Sequence, residues 1–127
     1  MSNLIKNIFV VDDDPMVTET MKDYLTDNFG HKVSVFPTGE ECLASLDEHP
    51  DFIILDYNLN SVKQHAADGI EILHFIKLNY PGIRIIMLSS LEKHKTVAQS
   101  IEQGAEKFVY KDQHAFATIA QLVNGGL

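Results

Sequence analysis

Four groups of residues carry side chains that could do chemistry together: the run Asp12-Asp13-Asp14, the isolated Asp56, the hydroxyls Ser89-Ser90, and Lys111. Several carboxylates held close together repel one another unless a cation sits among them. Hard oxygen ligands with vacant positions suit magnesium, which keeps several waters and bridges readily to phosphate. A phosphoryl group in transfer carries charge on its equatorial oxygens, which a metal, an ammonium and a hydroxyl can stabilise. A carboxylate can itself be the nucleophile and form an acyl phosphate. The set therefore reads as phosphoryl transfer to or from a carboxylate. Taken singly, each residue has an ordinary explanation. A lone aspartate is a solvated loop acid or, for Asp14, a helix cap; a lone Ser89 is a turn residue; a lone Lys111 is a surface charge. The weight lies in their joint position, since each group follows a short apolar run.

Those runs are the elements that must position the groups. Ile8–Val11 is β-rich and apolar, and Asp14-Pro15 supplies an N-cap with a first-turn proline. Val17, Met21, Tyr24, Leu25 and Phe29 then follow helical spacing. Lys32–Phe36 is a second strand, Pro37-Thr38-Gly39 a turn, and Glu40–Leu46 a short helix. Phe52–Leu55 is a third strand running into Asp56, followed by a polar loop to Asp68. Gly69 opens a helix with the stripe Ile70, Leu73, Ile76, which Tyr80-Pro81-Gly82 breaks. Ile83–Leu88 is the fourth strand; a helix with Val97, Ala98 and Ile101 ends at Gly104, a C-cap. Lys107–Tyr110 is the fifth strand and Gln113–Val123 the last helix. Near-continuously apolar strands alternating with helices predict a parallel sheet covered on both faces. In such a sheet ligands bind beyond the carboxyl ends of the strands, where all four groups fall.

The 127 residues suffice for one layered core, and the sequence is read as a single domain over 1–127, with an output domain conceivable beyond Leu127. The formal net charge is −8 with no cluster of Lys and Arg, which argues against direct nucleic-acid contact. Cys42 is alone, so no internal disulfide or C-x-x-C pair exists; it reads as a small buried residue on a helix. No leader-peptide pattern and no apolar run near the ~20 residues of a membrane span is found, and a cytoplasmic, non-membrane location is expected.

With these residues in place, the sequence resembles the receiver domains of two-component response regulators over essentially its whole length. Val10-Val11-Asp12-Asp13-Asp14-Pro15 resembles the family's acidic opening, and Pro50–Asp56 the segment leading to its phosphoacceptor. Asp68-Gly69-Ile70-Glu71-Ile72-Leu73 is similar to the third-helix start. Ile85–Ser90 and Gly104-Ala105 with Phe108-Val109-Tyr110-Lys111 are similar to its last two strands. The resemblance implies an α/β, flavodoxin-like (βα)5 three-layer sandwich with a five-stranded parallel sheet in the order 2-1-3-4-5. It implies that Asp56 accepts the phosphoryl group from a histidine kinase or phosphotransfer protein. Magnesium would be held by Asp13, Asp12, Asp56 and the backbone carbonyl of Asn58. Ser89 and Lys111 would bind the phosphoryl oxygens, Ser89 and Phe108 would form the switch, and Asn58 and Leu91 would tune hydrolysis. The surface of the fourth helix, fifth strand and fifth helix would then change shape toward a downstream protein, a fused output domain or a second copy. Such a domain catalyses only its own phosphorylation and dephosphorylation and is not otherwise an enzyme.

Two departures from the family pattern stand out. The loop after Asp56 is about five residues longer than usual, near Ser61–Ala66, with Asn60 at the familiar proline; a tolerated insertion is the simpler reading. Asp112 follows Lys111 where the family usually has a cis-bonded proline. A cis bond before Asp112 would cost several kcal/mol more than before proline, so this corner is expected to be trans and rearranged, or strained. The six histidines lack metal-pair spacing and read as structural or surface residues. A carboxylate-nucleophile phosphatase would want a second acid where Asn58 stands. A flavin-binding relative would be repelled by Asp12–Asp14. A degenerate receiver, acting only as a protein-binding module, is the remaining alternative.

Overall fold

The computed structural model describes residues 4–59, 68–89, 101 and 104–125. β1 (Asn7–Val11) leads into α1 (Pro15–Phe29), then come β2 (Lys32–Phe36), α2 (Gly39–Leu43), a 3-10 turn (Leu46–Glu48), β3 (Phe52–Asp56), α3 (Gly69–Asn79), β4 (Arg84–Ser89), β5 (Lys107–Tyr110) and α4 (Ala115–Val123). The helix expected around Val97 and Ala98 lies outside the described residues. Ile101 and Gly104 flank its expected end: the Gly104 amide donates to the Ile101 carbonyl, and Gly104 has φ 108°, the left-handed backbone of a helix stop.

All five strands are parallel, in the order β2-β1-β3-β4-β5. Side chains alternate across them and build two cores. Ile8, Val10, Phe52, Ile54, Ile86 and Leu88 pack with Met21 and Leu25 of α1 and with Ile119 and Val123 of α4. Phe9, Val11, Ile53, Leu55, Ile85 and Met87 pack with Cys42 of α2 and Ile72, Leu73 and Ile76 of α3. β3, in the middle of the sheet, is buried at every residue, and each such apolar side chain contributes about 1.5–3 kcal/mol of burial. This double coverage is why the strands read as unbroken apolar runs.

Local chemistry fixes the helix ends. Asp14 accepts from the Met16 amide at 2.9 Å with Pro15 in the first turn, and Gly30 closes α1 at φ 73°. Asp68 and Glu71 form a reciprocal capping box at α3. Several boundaries differ from the sequence reading by a few residues. β4 runs one residue later, through Ser89. α2 ends at Leu43 rather than Leu46, because the chain tightens into a 3-10 turn and passes through His49 at φ 56° before Pro50. There the Asp51 carboxylate accepts from the Asn7 amide at 2.8 Å and the Asp51 amide donates to the Asn7 carbonyl, docking the start of β3 beside β1. α4 begins at Ala115 rather than Gln113, because Asp112 occupies the turn before it.

Candidate functional site: an acidic pocket at the strand ends

Sheet register brings the predicted groups to one edge. Val11 pairs with Leu55, so Asp12 and Asp56 leave neighbouring strands at the same level. Asp56 pairs with Leu88 and Ser89 with Tyr110, which sets Ser89 and then Lys111 beside them. Asp12 and Asp56 are 1% and 2% exposed and Ser89 is wholly buried, an unusual depth for carboxylates.

Lys111 is what makes that depth tolerable. Its Nζ lies 2.8 Å from Asp12 Oδ2 and 3.2 Å from Asp56 Oδ1. The Asp14 amide donates to Asp12 Oδ1 at 3.0 Å, and the Asn58 amide donates to Asp56 Oδ1 at 3.2 Å. One ammonium shared between two buried carboxylates leaves the site short of positive charge. Burial, and then the charge of Asp12, push the Asp56 carboxyl up to about 7 against the opposing pull of Lys111 and the Asn58 amide. Burial works against the Lys111 ammonium, but the contact with Asp12 and the charge of Asp56 outweigh it and raise its pKa.

Oxygens of Asp12, Asp13 and Asp56 all lie within 4.8 Å of one another. Asp12 Oδ2 is buried and faces the Lys111 ammonium at 2.8 Å. Three hard oxygen donors beside a single ammonium, and so carrying an excess of negative charge, fit a divalent cation of the magnesium type. The sequence reading placed Asp12, Asp13, Asp56, Ser89 and Lys111 at this edge, and the structure brings them there.

Asn58 lies beside Asp56 and lends it its amide. Phe108 is half-buried on the α3 side of β5, across from Met87, its ring 5.4 Å from that of Tyr110. Leu91, like His65 and residues 60–66 of the long loop, lies outside the described residues. The anchor of that loop is described. The Gly69 amide donates to the Tyr57 carbonyl at 3.0 Å, and a Cβ on Gly69 would press into the Asp56 carbonyl oxygen and stand 2.7 Å from Tyr57 Cα. Sequence reasoning took Gly69 only as a helix start; the close approach of two backbones leaves no mark beyond a glycine. Among the described residues no peptide bond is cis, so the Lys111–Asp112 bond is trans.

Comparison with known proteins agrees with this geometry. The family model for the response regulator receiver domain matches residues 8–124. Response regulator protein VraR of Staphylococcus aureus is 31% identical over 113 residues, 87% of this chain and 51% of that protein. The luminescence regulatory protein LuxO of Vibrio campbellii is 27% identical over 103 residues, 80% of this chain and 21% of its own length. The chain thus spans about half or less of these curated relatives. Among solved structures, the BeF3-activated DrrB receiver domain superposes with a TM-score of 0.81 at 27% identity, covering 95% of this chain and 97% of that one. A CheY-like receiver domain protein from Methanospirillum hungatei gives 0.82 at 22% identity, covering 95% and 93%, which bears on fold alone. A family match over nearly the whole chain, on a 2-1-3-4-5 parallel sheet with its acidic pocket at the strand ends, shows that this protein belongs to the response regulator receiver domain family.

Proposed function

We propose that this domain is a phosphorylation-dependent switch in which Asp56 accepts a phosphoryl group, with magnesium, from a histidine kinase or phosphotransfer protein. The observation that carries this reading is the buried Asp12–Asp56–Lys111 cluster with Asp13 within 4.8 Å of both acids. In the transfer, an ionised Asp56 oxygen bonds to phosphorus as the bond from phosphorus to the donor's imidazole nitrogen breaks, and the imidazole takes up a proton. Asp12, Asp13, Asp56 and the Asn58 carbonyl would hold magnesium, which when bound neutralises charge on the phosphoryl oxygens. Lys111 leaves its contact with Asp56 to meet those oxygens, and the Ser89 hydroxyl donates to another. Phe108, half-buried two residues before Tyr110, is the side chain placed to follow Ser89 inward, altering the β5–α4 surface toward an output domain, a partner protein or a second copy. Asn58 and Leu91 would set the hydrolysis rate.

No helix among the described residues is long and apolar enough to cross a membrane. The test is intact-mass measurement after incubation with acetyl phosphate. A gain of one phosphoryl group that needs magnesium and vanishes in Asp56→Asn supports the switch. A folded protein that takes up none, from acetyl phosphate or from a phosphorylated kinase, is instead the phosphorylation-independent binding module.

A further inference from the structure

The corner after β5 is built by an aspartate in a way that bears on Lys111. The Lys111 amide donates to the Ser89 carbonyl at 2.9 Å, the last link between β5 and β4. One residue on, the Asp112 amide donates back to the Tyr110 carbonyl at 2.9 Å, closing a three-residue turn centred on Lys111. The Asp112 carboxylate then accepts from the His114 amide at 2.8 Å, and the Asp112 carbonyl accepts from the Ala115 amide at 3.1 Å. Asp112 thus grips the strand behind it and the start of α4 ahead of it, with Lys111 between two fixed points. A proline at 112 could make neither the amide bond nor the side-chain bond.

We infer that Asp112 is a positioning residue: its carboxylate, acting as a hydrogen-bond acceptor for the His114 amide and not as a charge, fixes the turn that aims Lys111 at Asp12 and Asp56. Lys111 must reach two carboxylates at 2.8 and 3.2 Å from a backbone that reverses direction at its own Cα. A turn free to open would let the exposed quarter of that side chain swing into water. This rests on the reading of Lys111 as the phosphoryl-binding lysine.

Two variants separate acceptor from charge. Asp112→Asn keeps a short acceptor and loses the charge; Asp112→Glu keeps the charge but is a methylene too long to close the turn. Each is compared with the unaltered chain in two assays: labelling by acetyl phosphate at saturating magnesium, and hydrogen exchange at the Lys111 and Asp112 amides, with Ile54 and Ile86 as internal controls. The expected result is Asn within about twofold of the parent in both. Glu should be about fivefold slower in labelling and about fivefold faster in exchange at the two corner amides only, the scale of a lost cap. Asn slowed, or Glu unaffected, overturns the inference. If the parent itself is not labelled, the proposed function fails, and the exchange comparison alone still decides whether Asp112 holds the corner.

Discussion

Replacing Asp56 with asparagine should stabilise the metal-free domain, and by an amount that grows with pH. Asp56 is 2% exposed and its carboxyl is raised from 3.8 to about 7 by burial and then by Asp12. A carboxyl raised in the folded state contributes stability that is fully present below the unfolded value near 3.8. That contribution is lost as pH climbs through the folded value near 7. About three pH units at about 1.36 kcal/mol each make a penalty of about 4 kcal/mol once Asp56 is ionised in both states. Between pH 5 and pH 8 the share that develops is about 2–3 kcal/mol, with most of it in place by pH 7. Asparagine has no charge to bury and leaves Lys111 paired with Asp12 alone. Urea unfolding of the two proteins in EDTA, at half-unit steps from pH 5 to 8, should show the variant gaining on the parent by that amount. Millimolar magnesium, which on the proposed function binds the ionised pocket, should shrink the difference at pH 8. A stability difference that stays flat across the pH range would refute the argument that burial makes Asp56 costly to ionise.

Lys111→Met should separate two roles of the same ammonium. The lysine occupies Asp12 Oδ2 and Asp56 Oδ1, so its removal should tighten magnesium binding by about tenfold, the size of a typical one-unit electrostatic change, while slowing acetyl phosphate labelling at least as much. Magnesium titration followed by NMR shifts of the Asp13 and Asn58 amides reads the first effect; weaker binding would contradict it. Gly69→Ala should lower stability by about 1–3 kcal/mol and slow labelling, since its new methyl group meets the backbone of Asp56 and Tyr57 and neither can yield freely. Gly39→Ala should lower the thermal midpoint as well, since its methyl group meets Cγ1 of Ile72, a core side chain that is stiff at χ1 on its helix.

The sheet and its active edge were legible because their signals are local. Ile8–Val11 and Phe52–Leu55 are apolar without alternation, and a strand buried on both faces leaves that trace. Asp12, Asp56 and Lys111 stand directly after such runs, so the sheet itself carries them to one edge. What remained hidden depends on partners distant in sequence. The end of α2 at Leu43 answers to the pairing of Asp51 with Asn7, 44 residues away. His31 reads as an ordinary histidine, yet it is buried, accepting at Nδ1 from the Lys6 amide at 3.0 Å and paired at Nε2 with Asn124 at 2.7 Å. Asp112 was visible as a departure from proline, but its three hydrogen bonds require the turn to be seen. That Asp12 and Asp56 share Lys111 is likewise a fact of distance, not of spacing.

The two faces of the sheet differ in when their components leave the ribosome. The side covered by α2 and α3 draws mostly on residues up to Met87, with Ala105 and Phe108 joining later, and can begin to close while the chain is still growing. The side covered by α1 needs Ile119 and Val123 of α4, and the His31–Asn124 contact joins residues 93 positions apart. At ordinary translation speeds roughly ten seconds pass between the end of β3 and the end of α4, during which Ile8, Val10 and Ile54 have only half their cover. A stop codon within α4 would therefore leave that sheet face with α1 alone for cover, a nascent-chain species matched to chaperones and proteases and not to signalling.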